Sequence, residues 1–199
     1  MDIIREAQKF EDPVQGALYK ENITLLFQQY ALPHVAPVVS MESLDESILT
    51  YPALDTMAFQ LALQLATIEK RGYTLLFWQP SDILVVELKK ERDTQRDRLK
   101  FYILTNFAQL VPLQKKDETQ LVLVYPSVFP LPADKCAPEL LEIKVLPLIT
   151  HRSASYYSLA LLCLKFTHLS LAELKGTKLF YFLERCSKKE PKERMLLYL

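Results

Sequence analysis

Residues 134–143 read DKCAPELLEI, and the interpretation of the whole fold depends on this stretch. At its centre is the tripeptide Ala137-Pro138-Glu139, which lies at the end of a proline-rich segment over residues 111–138. A tripeptide also arises by chance in a chain of this length. Its meaning therefore depends on whether the segments on either side fall in a recognisable order.

The composition predicts a globular domain, or one domain with an appendage. The chain has 199 residues, of which 50% are hydrophobic, so a sizeable core can form. Its formal net charge is zero, which argues against a nucleic-acid partner because no basic excess is present to neutralise phosphates. The three cysteines, Cys136, Cys163 and Cys186, are widely spaced and form no CxxC pair. They predict reduced thiols in an intracellular, most simply cytoplasmic, protein without a metal site.

The sequence suggests neither a membrane protein nor a phosphate-binding loop. The N-terminal MDIIREAQKFEDP is charged and does not resemble a signal peptide. The longest apolar run, residues 156–166, has about half the length that a membrane span needs. The three glycines, Gly16, Gly72 and Gly176, are too far apart to form a glycine-rich loop around a nucleotide. We therefore expect no membrane contact and no cofactor.

The pattern along the chain predicts an α+β fold. The clearest element is a helix over 54–70, where apolar residues repeat at three and four and Gly72 follows the end. The remaining predictions are helices at 2–11, 43–52, 155–166 and 177–188, and strands at 22–32, 35–42, 82–88, 99–107 and, inside the proline-rich segment, 120–126.

The order of the segments resembles that of the protein kinases. After the helix and Gly72 comes YTLLFWQPSDILVVE, which is similar to the kinase catalytic loop H-R-D-L-K-P-E-N followed by a strand, with Pro80 in the place of its proline. LTNFAQL, at 104–110, resembles the L-x-D-F-G segment, and APE follows roughly thirty residues later. SASYYSLALLCL is similar to the buried helix after that segment. The resemblance covers about residues 40–199.

The resemblance implies one structural ion pair. In the family, the glutamate of APE pairs with an arginine near the end of the lobe. The matching residues are Glu139 and Arg194, since an acidic residue and Pro191 precede this arginine as they do in the family. The alternative is that these are two unrelated surface charges.

The same resemblance implies that the catalytic positions are degenerate. The catalytic base falls on Phe77, the loop lysine on Gln79 and the loop asparagine on Asp82. The Asp-Phe-Gly motif falls on Asn106, Phe107 and Ala108, so the principal magnesium ligand is replaced by a neutral amide. Ser155 falls where the family has an aspartate that supports the loop backbone. The glycine-rich loop and the strand lysine have no counterpart in the sequence.

These substitutions predict a pseudokinase, a non-enzyme that acts through a protein partner as a scaffold or an allosteric regulator. Residues 1–42 would be a truncated N-lobe remnant of short helix and strands, and residues 43–199 a mostly helical kinase-like C-lobe. Two alternatives stay open: a divergent kinase with displaced residues such as Asp82 or Asp134, and an unrelated α+β adaptor or structural protein. Phe77 and Trp78 would either fill the vacated cleft, which we favour, or offer a docking surface.

Overall fold

The computed structural model describes residues 13–30, 38–43, 49–89, 98–107, 110–115, 120–123, 131–142 and 147–194. Within these ranges the protein is mixed α+β, with five α-helices and small antiparallel sheets. The helices are α1 (Pro13–Tyr30), α2 (Tyr51–Lys70), α3 (Pro138–Leu141), α4 (Ala154–Lys165) and α5 (Lys178–Cys186). The strands are β1 (Val38–Ser40), β2 (Tyr73–Leu75), β3 (Ile83–Lys89), β4 (Arg98–Leu104), β5 (Leu110–Lys115), β6 (Gln120–Leu123) and β7 (Leu148–His151).

The chain divides into two compact units. The first comprises Met1–Leu44 with Pro80–Phe107, and the second comprises Asp45–Gln79 with Ala108–Leu199. The division expected from the sequence, at 42/43, did not include the return of 80–107 to the first unit. That return follows from strand pairing, because β1 pairs with β3 and thereby joins the hairpin to the N-terminal segment.

The first unit is built on a three-stranded antiparallel sheet in the order β1-β3-β4. The hairpin of β3 and β4 keeps one register from Ile83 opposite Leu104 to Lys89 opposite Arg98. Phe101, Tyr102 and Ile103 are buried along β4, and α1 contacts this strand. The predicted strand pair is therefore present, within one to three residues at each end.

The predicted strand at 22–32 is wrong, because residues 13–30 form α1. Pro13 is the first helical residue, a position at which proline loses no hydrogen bond. Thr24 adapts to the helix by donating its hydroxyl to the carbonyl oxygen of Lys20 at 2.8 Å. The β-branched and apolar residues that suggested a strand are thus accommodated in a helix. The predicted helix at 2–11 lies outside the described residues, and so do parts of the predicted strand at 35–42 and of the predicted helix at 43–52.

The second unit is organised around α2. Its buried residues occupy most of the helix surface, from Leu54 to Ile68. Pro52, expected to end a preceding helix, instead lies in the first turn of α2. At the other end Gly72 adopts a φ of 82°, a left-handed conformation that glycine reaches without strain, and this turns the chain into β2.

A four-stranded antiparallel sheet in the order β2-β5-β6-β7 completes the second unit together with α4 and α5. The proline-rich segment was expected to be irregular apart from one strand, but it also contains β5. Pro112 lies opposite Tyr73 of β2, while the next residue, Leu113, lies opposite Leu123 of β6. The proline thus stands where β5 changes partners, so its missing N–H interrupts neither ladder in its middle.

Helices α4 and α5 follow the predicted ranges within one or two residues. Thr177 caps α5 by accepting a hydrogen bond from the backbone N–H of Phe180 at 3.1 Å. No helix among the described residues has both the length and the apolar character needed to cross a membrane.

Candidate functional site

The structure brings Glu139 and Arg194 together across 55 residues of sequence. Nη1 of Arg194 donates to Oε1 of Glu139 at 2.5 Å, and Nη2 donates to Oε2 at 2.9 Å. The two hydrogen bonds are parallel, which is the bidentate geometry that a guanidinium and a carboxylate favour. The arginine side chain is fully buried and the glutamate side chain is 20% exposed.

Arg194 also contacts two backbone carbonyls and an aromatic ring, in addition to the Glu139 carboxylate. Its Nε donates to the carbonyl oxygen of Lys188 and its Nη2 donates to that of Lys189, both at 2.6 Å. The guanidinium carbon lies 4.5 Å from the centre of the Tyr157 ring, within the range of a cation–π interaction. A buried charge is tolerated only when it is paired and hydrogen-bonded, and Arg194 meets both conditions.

In the first unit, Asp82 and Asn106 are neighbours. Asp82 ends the 3₁₀ turn Pro80–Asp82 before β3, and Asn106 follows β4. Since Ile83 lies opposite Leu104, the residues just outside the two strands must also meet. Nδ2 of Asn106 donates to Oδ1 of Asp82 at 2.8 Å, and the backbone N–H of Thr105 donates to the Asp82 carbonyl oxygen at 2.8 Å.

These are the two positions at which the resemblance implies metal ligands, but the residue types are exchanged: aspartate stands for asparagine, and asparagine for aspartate. Asp82 is 3% exposed. The amide of Asn106 occupies one oxygen of this carboxylate. Among the described residues no group of three or more His, Cys, Asp or Glu side chains is arranged to hold a metal ion.

In the second unit, Gln79 and Trp78 are fixed by the segment before APE. Nζ of Lys135 donates to Oε1 of Gln79 at 3.0 Å. The hydroxyl of Ser158 donates to the carbonyl oxygen of Lys135 and accepts from the backbone N–H of Trp78 at 3.3 Å. Ser158 thus supports the loop backbone. Ser155, which falls where the family has its supporting aspartate, lies one helical turn earlier, and its hydroxyl meets Thr74 at 2.6 Å.

Phe77 and Trp78 are buried, with 4% and 2% of their surface exposed. Phe77 belongs to a cluster with Leu76, Val111 and Leu140. A buried phenylalanine accepts no proton, so this position supplies no general base. Neither aromatic residue offers a docking surface in this structure. Phe107 is also buried, and Ala108 lies outside the described residues.

Asp134, the other candidate base, is exposed. The three cysteines are free and buried. Burial raises the pKa of each thiol above its usual value, to about 12 for Cys136 and Cys186, so all three stay protonated at neutral pH. Nucleophilic thiol chemistry is therefore disfavoured at these positions.

Sequence reasoning missed a polar cluster at the end of α2. Oε2 of Glu69 accepts a hydrogen bond from the hydroxyl of Tyr156 at 3.2 Å, and Oε1 accepts one from Thr74 at 3.4 Å. Burial raises the pKa of Glu69 to about 7, against smaller opposing effects of Tyr156 and Arg152. The partners come from 5 and 87 residues away. No local pattern in the sequence signals the second contact.

Searches for similar proteins leave the family open. No family model, no curated protein and no solved structure matches this chain.

Proposed function

We propose that this chain is a protein kinase-like protein without catalytic activity, which acts by binding other proteins as a scaffold or an allosteric regulator. One contact supports the kinase-like part. Glu139 pairs with Arg194, as the motif alignment implies. An accidental motif match would carry no expectation that these two residues meet.

The hydrogen bond from Asn106 to Asp82 carries the non-catalytic part of the proposal. Magnesium-dependent phosphoryl transfer needs anionic and neutral oxygen ligands directed at the metal. Here the N–H₂ group of Asn106 donates to Oδ1 of Asp82, so this carboxylate oxygen is directed at the amide. Phe77 at the position of the base and Gln79 at that of the loop lysine remove two further parts of the chemistry.

A protein partner also suits the charge of the chain. Formal net charge is zero, and nucleic-acid binding draws most of its affinity from a basic excess. The partner itself is not specified by the residues described above.

The first test measures nucleotide binding by thermal shift. ATP with magnesium should leave the melting temperature of the chain unchanged, because a ligand stabilises only the state that binds it. A clear upward shift that disappears in Asp82→Ala would overturn the proposal in favour of a divergent nucleotide-binding enzyme.

The second test separates binding of partners from catalysis. Tagged wild-type chain and Asp82→Ala are expressed in cells, and the captured proteins are quantified by mass spectrometry. We expect the two chains to retain the same enriched partners. Loss of phosphotransfer to a captured protein in Asp82→Ala, with transfer present in the wild type, would support an enzyme instead.

A further inference from the structure

Four side chains join the end of α2, the strand β2 and the start of α4. They are Glu69, Thr74, Ser155 and Tyr156, and we refer to them as the Glu69 joint. Tyr156 is 2% exposed, Thr74 2% and Ser155 3%, whereas Glu69 is partly exposed, so water has restricted access to the three hydroxyls. The contacts span 81 residues between Thr74 and Ser155 and 87 between Glu69 and Tyr156.

With Glu69 ionised, the hydrogens of the Glu69 joint are all used. Tyr156 donates to Oε2 and Thr74 donates to Oε1. Thr74 has one hydroxyl hydrogen, which it donates to Glu69. Ser155 must therefore be the donor in its 2.6 Å contact with Thr74. Three O–H groups then serve three contacts, all directed toward the carboxylate.

With Glu69 protonated, the same contacts cannot satisfy every hydrogen. The four side chains then carry four O–H groups but still share three contacts. One hydroxyl is left without an acceptor in the joint, or a contact must break. A buried hydroxyl without an acceptor carries a free-energy cost of its own. The protonated joint is therefore arranged differently from the ionised one.

The ionised form has an opposing cost. Its carboxylate is desolvated, and it lies in the last turn of α2, where the helix dipole disfavours negative charge. Arg152, in the turn before α4, partly offsets this cost. From α4 the facing titratable group is Tyr156, from α5 Cys186 acts on that tyrosine, and β2 supplies the neutral hydroxyl of Thr74.

We propose that the Glu69 joint gains and loses a proton within the near-neutral pH range. This proton changes its hydrogen bonding and thereby the contact between α2, β2 and α4. The two costs oppose each other, so a modest change in pH selects between two arrangements. This inference does not depend on the proposed pseudokinase function, because it uses none of the residues at the degenerate catalytic positions.

The sign of the effect follows from linkage. Burial raises the pKa of Glu69 in the folded chain to about 7, above its unfolded value of 4.5. The folded state then holds this proton more tightly than the unfolded chain. Its stabilising effect is full below the unfolded pKa and is lost as pH rises through the folded pKa. Between pH 5 and pH 8 the folding equilibrium constant should fall by roughly tenfold to a hundredfold on account of this group.

The test follows Glu69 directly by NMR of chain labelled with ¹³C at the glutamate carboxyl carbon. The Glu69 signal is assigned as the one that Glu69→Gln removes. We expect a midpoint near neutral pH, moving upward in Tyr156→Phe because that substitution removes a donor to the ionised form. Thr74→Val should move the midpoint in the same direction. It replaces Tyr156→Phe in the measurement if that variant does not fold. A wild-type midpoint below about pH 5 would overturn the proposal.

Melting curves from pH 5 to pH 8 provide the second readout. The wild type should lose stability as pH rises, and Glu69→Gln should remove most of that slope. Glu142→Gln is the matched control, since Glu142 is exposed just after α3 and should leave the slope unchanged. An equal slope in wild type and Glu69→Gln would contradict the proposal, whatever the absolute melting temperatures.

Discussion

Glu139 and Glu69 are both glutamates whose two carboxylate oxygens accept hydrogen bonds inside the second unit, yet their surroundings differ in one respect. A buried guanidinium faces Glu139, with both Nη atoms bonded to it. Neutral hydroxyls face Glu69, and the positive charge of Arg152 acts on it without compensating for burial. The carboxylate of Glu139 is thus paired with a fixed cation, whereas that of Glu69 is held by hydroxyls and its pKa is raised.

The largest expected effect comes from removing the cation of the first site. Arg194→Ala strands the Glu139 carboxylate and leaves two backbone carbonyls without their donor. Breaking a buried pair costs about 3–5 kcal/mol, so we expect loss of most soluble folded protein. Chemical denaturation measures the loss. Glu142→Ala is the exposed control, and a normal unfolding curve for Arg194→Ala would refute a structural role for the pair.

The same substitution at the two glutamates should have opposite signs. Glu139→Gln removes the charge facing a buried arginine and should destabilise the chain by about 2–3 kcal/mol at pH 8. Glu69→Gln removes a charge that burial disfavours and should stabilise it by about 1–3 kcal/mol at the same pH. Paired unfolding curves at pH 8 decide this, and destabilisation by both substitutions would erase the contrast drawn between the sites.

A smaller effect is expected at Asp82, a buried carboxylate whose partner is an amide. Asn106→Ala removes the 2.8 Å donor and should cost about 1–2 kcal/mol. Asn106→Asp should cost more at neutral pH than at pH 4, since two adjacent carboxylates repel until one is protonated. Urea unfolding at both pH values measures the difference. If Asn106→Asp were more stable at neutral pH than at pH 4, the expected repulsion between the two carboxylates would be refuted.

The smallest effect is expected at the surface pair of Lys188 and Glu184, which are 42% and 35% exposed. Water screens both charges, so Lys188→Ala should shift the melting temperature by less than about 2 °C. A larger shift in a calorimetric scan would mean that solvent exposure does not explain why this pair contributes less to stability than Glu139 and Arg194. A low-salt repeat is the natural control, because screening then weakens.

Local patterns predicted some elements well. The periodic apolar residues of α2 and Gly72 after it describe a helix and its end without reference to the rest of the chain. The segments 82–88 and 99–107 were predicted as a pair of strands from local composition, and they form the hairpin of β3 and β4. Local signals failed in α1, where an apolar, β-branched run was assigned to a strand although the residues from Pro13 onward form a continuous helix.

What the sequence determined by itself is therefore the helix α2, the hairpin of β3 and β4, and the expectation that Glu139 would find Arg194. Each rests either on neighbours a few residues apart or on an ordered set of motifs. Only the tertiary structure decided that the start of the proline-rich segment forms β5, that Ser158 holds the Trp78 backbone, and that Glu69 is partly buried among hydroxyls. Those outcomes depend on contacts between residues some 40 to 90 positions apart, and such contacts leave no periodicity for a single sequence to reveal.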